Sequence, residues 1–140
     1  MKLFLAKAIL KSFGIGVVLS LILIIVTKIA TARPHFPDEP YRNMNCFPGL
    51  EYAIPVGINL FLALASLLAY LNIFQIIRQN LFISLASFFV IHFVLFYFSI
   101  REIINESDVW ILICYFLFYM LPWTFYYIKF KKLYGLKSNY

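Results

Sequence analysis

Residues 81–100 read LFISLASFFVIHFVLFYFSI, a run without Asp, Glu, Lys or Arg. A helix of roughly 20 apolar residues crosses a bilayer core of about 30 Å, so this run predicts a membrane-spanning helix. Residues 101–108, REIINESD, are polar, and residues 109–128 form a second apolar run, VWILICYFLFYMLPWTFYYI. These stretches predict two helices that cross a membrane in opposite directions.

Two further apolar runs precede this pair, from about Phe13 to Ala32 and from Ala53 to Gln75. The chain has 140 residues, of which 64% are hydrophobic and 13% charged. Soluble domains carry about a quarter charged residues, so water is not the main solvent of this chain. We therefore predict an all-α integral membrane protein, with residues 1–140 forming one bundle of four transmembrane helices.

The first apolar run also resembles a secretory signal, because lysines precede it and Ala30-Thr31-Ala32 at its end would suit a signal peptidase. Cleavage would leave three helices. We interpret the run as a retained first helix, or as an uncleaved anchor.

The basic residues predict the orientation of the helices, since short cytoplasmic segments carry an excess of Lys and Arg. Most of the 12 basic residues fall on one side, against Lys28, Arg33, Arg42 and Arg101 on the other. Both termini are therefore predicted to be cytoplasmic, with residues 33–52 outside, in a multi-pass protein of a bacterial inner membrane. The cytoplasmic group is Lys2, Lys7, Lys11, Arg78, Lys129, Lys131, Lys132 and Lys137.

The acidic residues all fall on the predicted outer side. They are typical of solvated loops, or they form a surface for a basic partner or for cations. The candidate partner surface comprises Asp38, Glu39, Arg42, Glu102, Glu106 and Asp108.

Small residues recur every four positions in the first two helices. In a membrane such stripes allow close helix packing, either inside one bundle or against another protein. The candidate packing face comprises Ser12, Gly16, Ser20, Ala65 and Ala69.

Polar side chains within the apolar runs define a candidate intramembrane site of His92, Asn59, Asn72, Tyr115 and Tyr119. An ionisable residue in a membrane helix indicates proton transfer or ligand contact. The alternative is a neutral imidazole bonded to Asn59, Asn72 or a tyrosine across the bundle.

The sequence lacks the residues that familiar membrane enzymes require for catalysis. The apolar runs hold no carboxylate pair, no HExxH and no cysteine pair, because Cys46 and Cys114 are far apart. Ser84 or Ser87 with His92 is a conceivable nucleophile and base, yet neither spacing clearly places the pair on one face. His35, Asp38 and Glu39 lack a third structured ligand for a metal. We expect no enzyme activity, no cofactor, no metal and no nucleic acid partner.

The remaining function is contact with another membrane protein, or self-association, within the lipid bilayer. The chain would be an accessory subunit of a membrane complex or an immunity-type protein. In size, charge layout and aromatic content it is similar to immunity proteins of pore-forming bacteriocins, although this likeness covers no motif. The alternative is a small oligomeric channel or transporter with a polar path around His92, Asn59 and Asn72.

Overall fold

Helices make up almost all of the structure. The computed structural model describes residues 1–31, 49–103 and 109–135, without the side chains of residues 31, 50, 51, 102, 103 and 135. Its segments, in chain order, are α1 (Lys2–Thr31), α2 (Leu50–Ala65), a 3₁₀ segment (Ser66–Ile73), α3 (Gln75–Gln79), α4 (Leu81–Ile103), α5 (Val109–Phe130) and a short π-helical segment (Lys131–Gly135).

Four stretches are long and apolar enough to cross a membrane, with mean hydropathies between 1.6 and 2.6. They are Lys2–Ala30, Tyr52–Ile73, Leu81–Arg101 and Val109–Tyr134. The four long apolar helices predicted from the sequence are therefore confirmed, and the chain is a helix bundle with the composition of a membrane protein.

The first helix begins at Lys2, well before the predicted start of the first span near Phe13. Its early turns are helical because they pack: Leu5 is fully buried, and the Phe4 ring lies 5.9 to 6.3 Å from the rings of Tyr126, Phe130 and Tyr134, measured between centroids. The lysines of this segment point away from the bundle and are exposed. The apolar run therefore predicted too short a helix, because the exposed lysines of the first turns interrupt it.

The second apolar run is not a uniform α-helix, because it changes to a 3₁₀ helix at Ser66. The Ser66 hydroxyl donates to the carbonyl of Leu62, 3.0 Å away, and this kind of bond to the preceding turn often bends helices. Eight consecutive 3₁₀ residues are unusual, since such runs rarely exceed three or four.

Neighbouring helices run antiparallel. Lys28, late in α1, lies beside Tyr52, early in α2, with 3.2 Å between ammonium and hydroxyl. α1 packs mainly on α5 and α2, whereas α4 packs mainly on the 3₁₀ segment, on α3 and on α5. The second apolar helix and α5 thus form the middle of the bundle, with α1 on one flank and α4 on the other.

Candidate functional site

Polar side chains are concentrated inside the bundle. Among the described side chains seven are fully buried, and they belong to every long helix except α5, which adds the hydroxyl of buried Tyr119. The seven are Ser12, Ser20, Asn59, Ser66, Asn72, Ser84 and His92. Because unbonded polar groups are costly away from water, their partners define what this interior can do.

The central group joins three helices through Ser66. Its hydroxyl lies 2.9 Å from Nε2 of His92 on α4 and 2.6 Å from the hydroxyl of Tyr119 on α5. Nε2 of His92 also lies 3.2 Å from the carbonyl oxygen of Leu62. The imidazole stacks on the Tyr119 ring with 5.8 Å between centroids, so hydrogen bonds and ring packing hold the same contact.

The tautomer of His92 sets the direction of its bonds. A carbonyl oxygen can only accept, so the tautomer with a hydrogen on Nε2 is the one that bonds Leu62. In that tautomer the Ser66 hydroxyl donates to the same carbonyl and accepts from Tyr119, and the three side chains form an interhelical clamp. In the other tautomer Nε2 accepts from Ser66, and the distances are those of a hydroxyl beside a base.

A second polar contact joins α1 to α2. The Asn59 amide nitrogen donates to the Ser20 hydroxyl, 3.1 Å away, and to the Pro55 carbonyl, 2.8 Å away. Gly16 faces the same amide, and a Cβ atom built there would lie 2.1 Å from Oδ1 of Asn59. The absence of a side chain at Gly16 is what lets the asparagine fit between the helices.

A third contact joins the 3₁₀ segment to α4. The Asn72 amide nitrogen donates to the Ser87 hydroxyl and to the Ala69 carbonyl, the latter 3.2 Å away. The Ser87 hydroxyl in turn donates to the Ser84 carbonyl, 2.8 Å away. Asn72 therefore bonds both within the 3₁₀ segment and to α4.

These three contacts occupy different heights in the bundle. Asn59 precedes Ser66 by seven α-helical positions, a rise of about 10 Å. Ser66 precedes Asn72 by six 3₁₀ positions, a rise of about 12 Å. The predicted site thus separates into layers, and His92 bonds neither Asn59 nor Asn72 in this structure. Tyr119 joins the central layer, while Tyr115 lies buried one turn away on α5.

Ser66, the centre of the contact with His92 and Tyr119, is absent from the site predicted from the sequence. The buried residues of the 3₁₀ segment are Ser66, Ala69 and Asn72, spaced by three because this helix has three residues per turn. The sequence prediction assumed an α-helical spacing of four, which placed Ala65 and Ala69 on one face. The spacing of small and polar residues by three was the available signal.

The predicted packing face lies mostly inside the bundle. On α1 the buried stripe continues in both directions from Ser12, Gly16 and Ser20, to Leu5 and Ala8 at one end and Ile24 at the other. Ala69 is fully buried and Ala65 half-buried.

The predicted outer surface lies outside the described residues. Within the described ranges, no group of three or more His, Cys, Asp or Glu side chains could hold a metal ion. Outside the described residues lie Asp38, Glu39, Arg42, Glu106, Asp108, the side chain of Glu102, and His35 of the rejected metal set.

An apolar groove of about 130 Å³ lies between α2, α4 and α5. Its lining is hydrocarbon apart from Ser99, whose hydroxyl donates to the Leu95 carbonyl, 2.9 Å away. Such a groove suits an apolar chain and offers little to a polar substrate.

No family model, no curated protein and no solved structure matches this chain.

Proposed function

We propose that this chain is a four-span membrane protein, with both termini cytoplasmic, that acts by binding another membrane protein and carries out no chemistry of its own. One observation carries the proposal: Asn59, Ser66 and Asn72 bond across the interior to neighbouring helices, while α4 presents a broad apolar face outward. The clamp around His92 supports a structural role for the buried polar residues.

The exposed face of α4 is the proposed contact surface. It is centred on a stripe with helical spacing, which we call the α4 stripe: Phe82, Ala86, Val90, Phe93 and Tyr97. The aromatic members are 56% to 82% exposed. Of the four candidate spans, this helix has the smallest buried share, 17%. A small residue among large rings gives a partner helix both a point of close approach and anchors.

The partner in this proposal is a resident membrane complex or a pore-forming toxin that the chain blocks. Binding to either kind of partner would occur through contacts between helices and would require no catalytic group. The buried layers, separated by about 10 Å along the bundle, offer less support to a channel through one copy.

Photo-crosslinking from single positions tests the proposal. A photoreactive amino acid replaces Val90 or Tyr97 of the α4 stripe, and matched probes replace Val18 or Ile22 on the exposed face of α1. We expect one adduct of fixed mass from the α4 positions only. Phe82→Ala combined with Val90→Ala should abolish recovery of that protein in mild detergent. Equal adducts from both helices, or lipid adducts alone, would remove α4 as the binding face.

A further inference from the structure

Two basic side chains, Arg78 and Lys131, meet at the end of the bundle where α1 begins and α5 ends. A guanidinium nitrogen of Arg78, on α3, lies 3.2 Å from the sulfur of Met1. The ammonium of Lys131 donates to the backbone carbonyl of Arg78, 2.9 Å away. The fold therefore holds the ammonium of Lys131 against the backbone of Arg78.

Among the side chains that the structure describes, no Asp or Glu balances them. The six Asp and Glu residues occur at positions 38, 39, 51, 102, 106 and 108, so none lies in the described stretches that build this end. Lys2 and Lys132 add charge beside Met1 and Lys131 in the sequence. Like charges held together in this way favour an anion between them.

The donors of this pair are largely uncommitted in the contacts described. A guanidinium has five N–H donors, and the sulfur of Met1 is a weak acceptor for one of them. An ammonium has three donors, of which the Arg78 carbonyl takes one. Arg78 and Lys131 are half-buried, whereas Lys2, Lys129 and Lys132 are exposed. A planar fork beside a fixed ammonium suits the oxygens of a phosphate.

We propose that Arg78 and Lys131 bind the phosphodiester headgroup of an anionic phospholipid. Apolar side chains flank Arg78 in the sequence, since Phe74 and Ile76 are 63% and 81% exposed. A free phosphate would leave these side chains without a role, whereas acyl chains below a headgroup would cover them. The inference rests on the membrane placement proposed above, but it does not involve the α4 stripe.

Native mass spectrometry of the full chain, released from vesicles of mixed phosphatidylglycerol and phosphatidylcholine, tests this site. We expect the wild type to retain phosphatidylglycerol preferentially. Arg78→Gln with Lys131→Gln should lower that retention by about tenfold or more, from the loss of two basic groups at the surface. The control, Lys28→Gln with Arg101→Gln, removes the same charge at the opposite end and should retain the lipid.

Three results would overturn the proposal: a wild type without preference between the two lipids, equal loss in both double variants, or displacement of the lipid by millimolar inorganic phosphate. The first needs no variant to fold. The measurement uses the isolated chain, so its failure would leave crosslinking from the α4 stripe unaffected.

Discussion

The two flanks of the bundle are held in different ways. α1 meets α2 and α5 through a narrow stripe of small residues, where Gly16 leaves room for the amide of Asn59. α4 meets the 3₁₀ segment and α5 through polar bonds and rings: His92 bonds Ser66, and the Trp123 indole donates to the Phe88 carbonyl, 3.0 Å away. The first contact depends on the space left at Gly16, beside one buried hydrogen bond from Asn59 to Ser20. The second depends mainly on donors and acceptors. Added atoms should therefore damage the first, and lost polar atoms the second.

Gly16→Ala should have the largest effect, because the new Cβ would lie 2.1 Å from an amide oxygen whose side chain is already hydrogen-bonded. We expect a loss of about 1 to 3 kcal/mol in the free energy of unfolding, measured by denaturation in mixed micelles.

Gly14→Ala is the matched control on the same helix, since a Cβ there meets nothing within 4 Å. It should be neutral, or stabilising by up to about 1 kcal/mol from helix propensity. Equal losses at the two glycines would show that α1 does not depend on close packing at Gly16.

Ser66→Ala should come next. It removes the shared partner of His92 and Tyr119 and leaves both with less hydrogen bonding inside the bundle. The expected loss in the free energy of unfolding is about 1 to 2 kcal/mol. The exposed control Thr124→Ala removes a hydroxyl that bonds only within α5, to the Met120 carbonyl, and should change little. A loss from Ser66→Ala no larger than that of the control would refute the clamp.

A double-mutant cycle between Ser66→Ala and Tyr119→Phe isolates the hydroxyl contact of 2.6 Å. Polar contacts between membrane helices couple by about 0.6 kcal/mol on average, and we expect a value of that order. Additive single losses would mean that the two hydroxyls do not interact.

Phe82→Ala on the α4 stripe should have the smallest effect on stability, within about 0.5 kcal/mol, because the side chain is 82% exposed. Recovery of the partner protein should nevertheless fall. A large drop in the free energy of unfolding would place Phe82 in the fold of the chain itself and not in a binding face.

The long helices could be predicted from the sequence because an apolar run of about 20 residues is long enough to cross a bilayer. The start of α1 was missed, since Phe4 and Leu5 pack on α5 residues more than a hundred positions away in the chain. The 3₁₀ segment was missed because its bonds involve other helices: Ser66 with His92 and Tyr119, and Asn72 with Ser87. His92 itself was recognisable as a lone ionisable group. Its partner Ser66 was not recognisable, because the periodicity of one helix does not show which residues of two different helices face each other.

Labelling of Cys46 with a membrane-impermeant maleimide, in intact cells that produce the protein, tests the four-crossing arrangement most directly. Cys114, half-buried within α5, is an internal control that should react only after detergent is added, and Cys46→Ser identifies the labelled site. The four-crossing arrangement predicts that Cys46 reacts before the cells are opened. Reaction of Cys46 only after permeabilisation would place residues 33–52 in the cytoplasm and contradict the proposed arrangement.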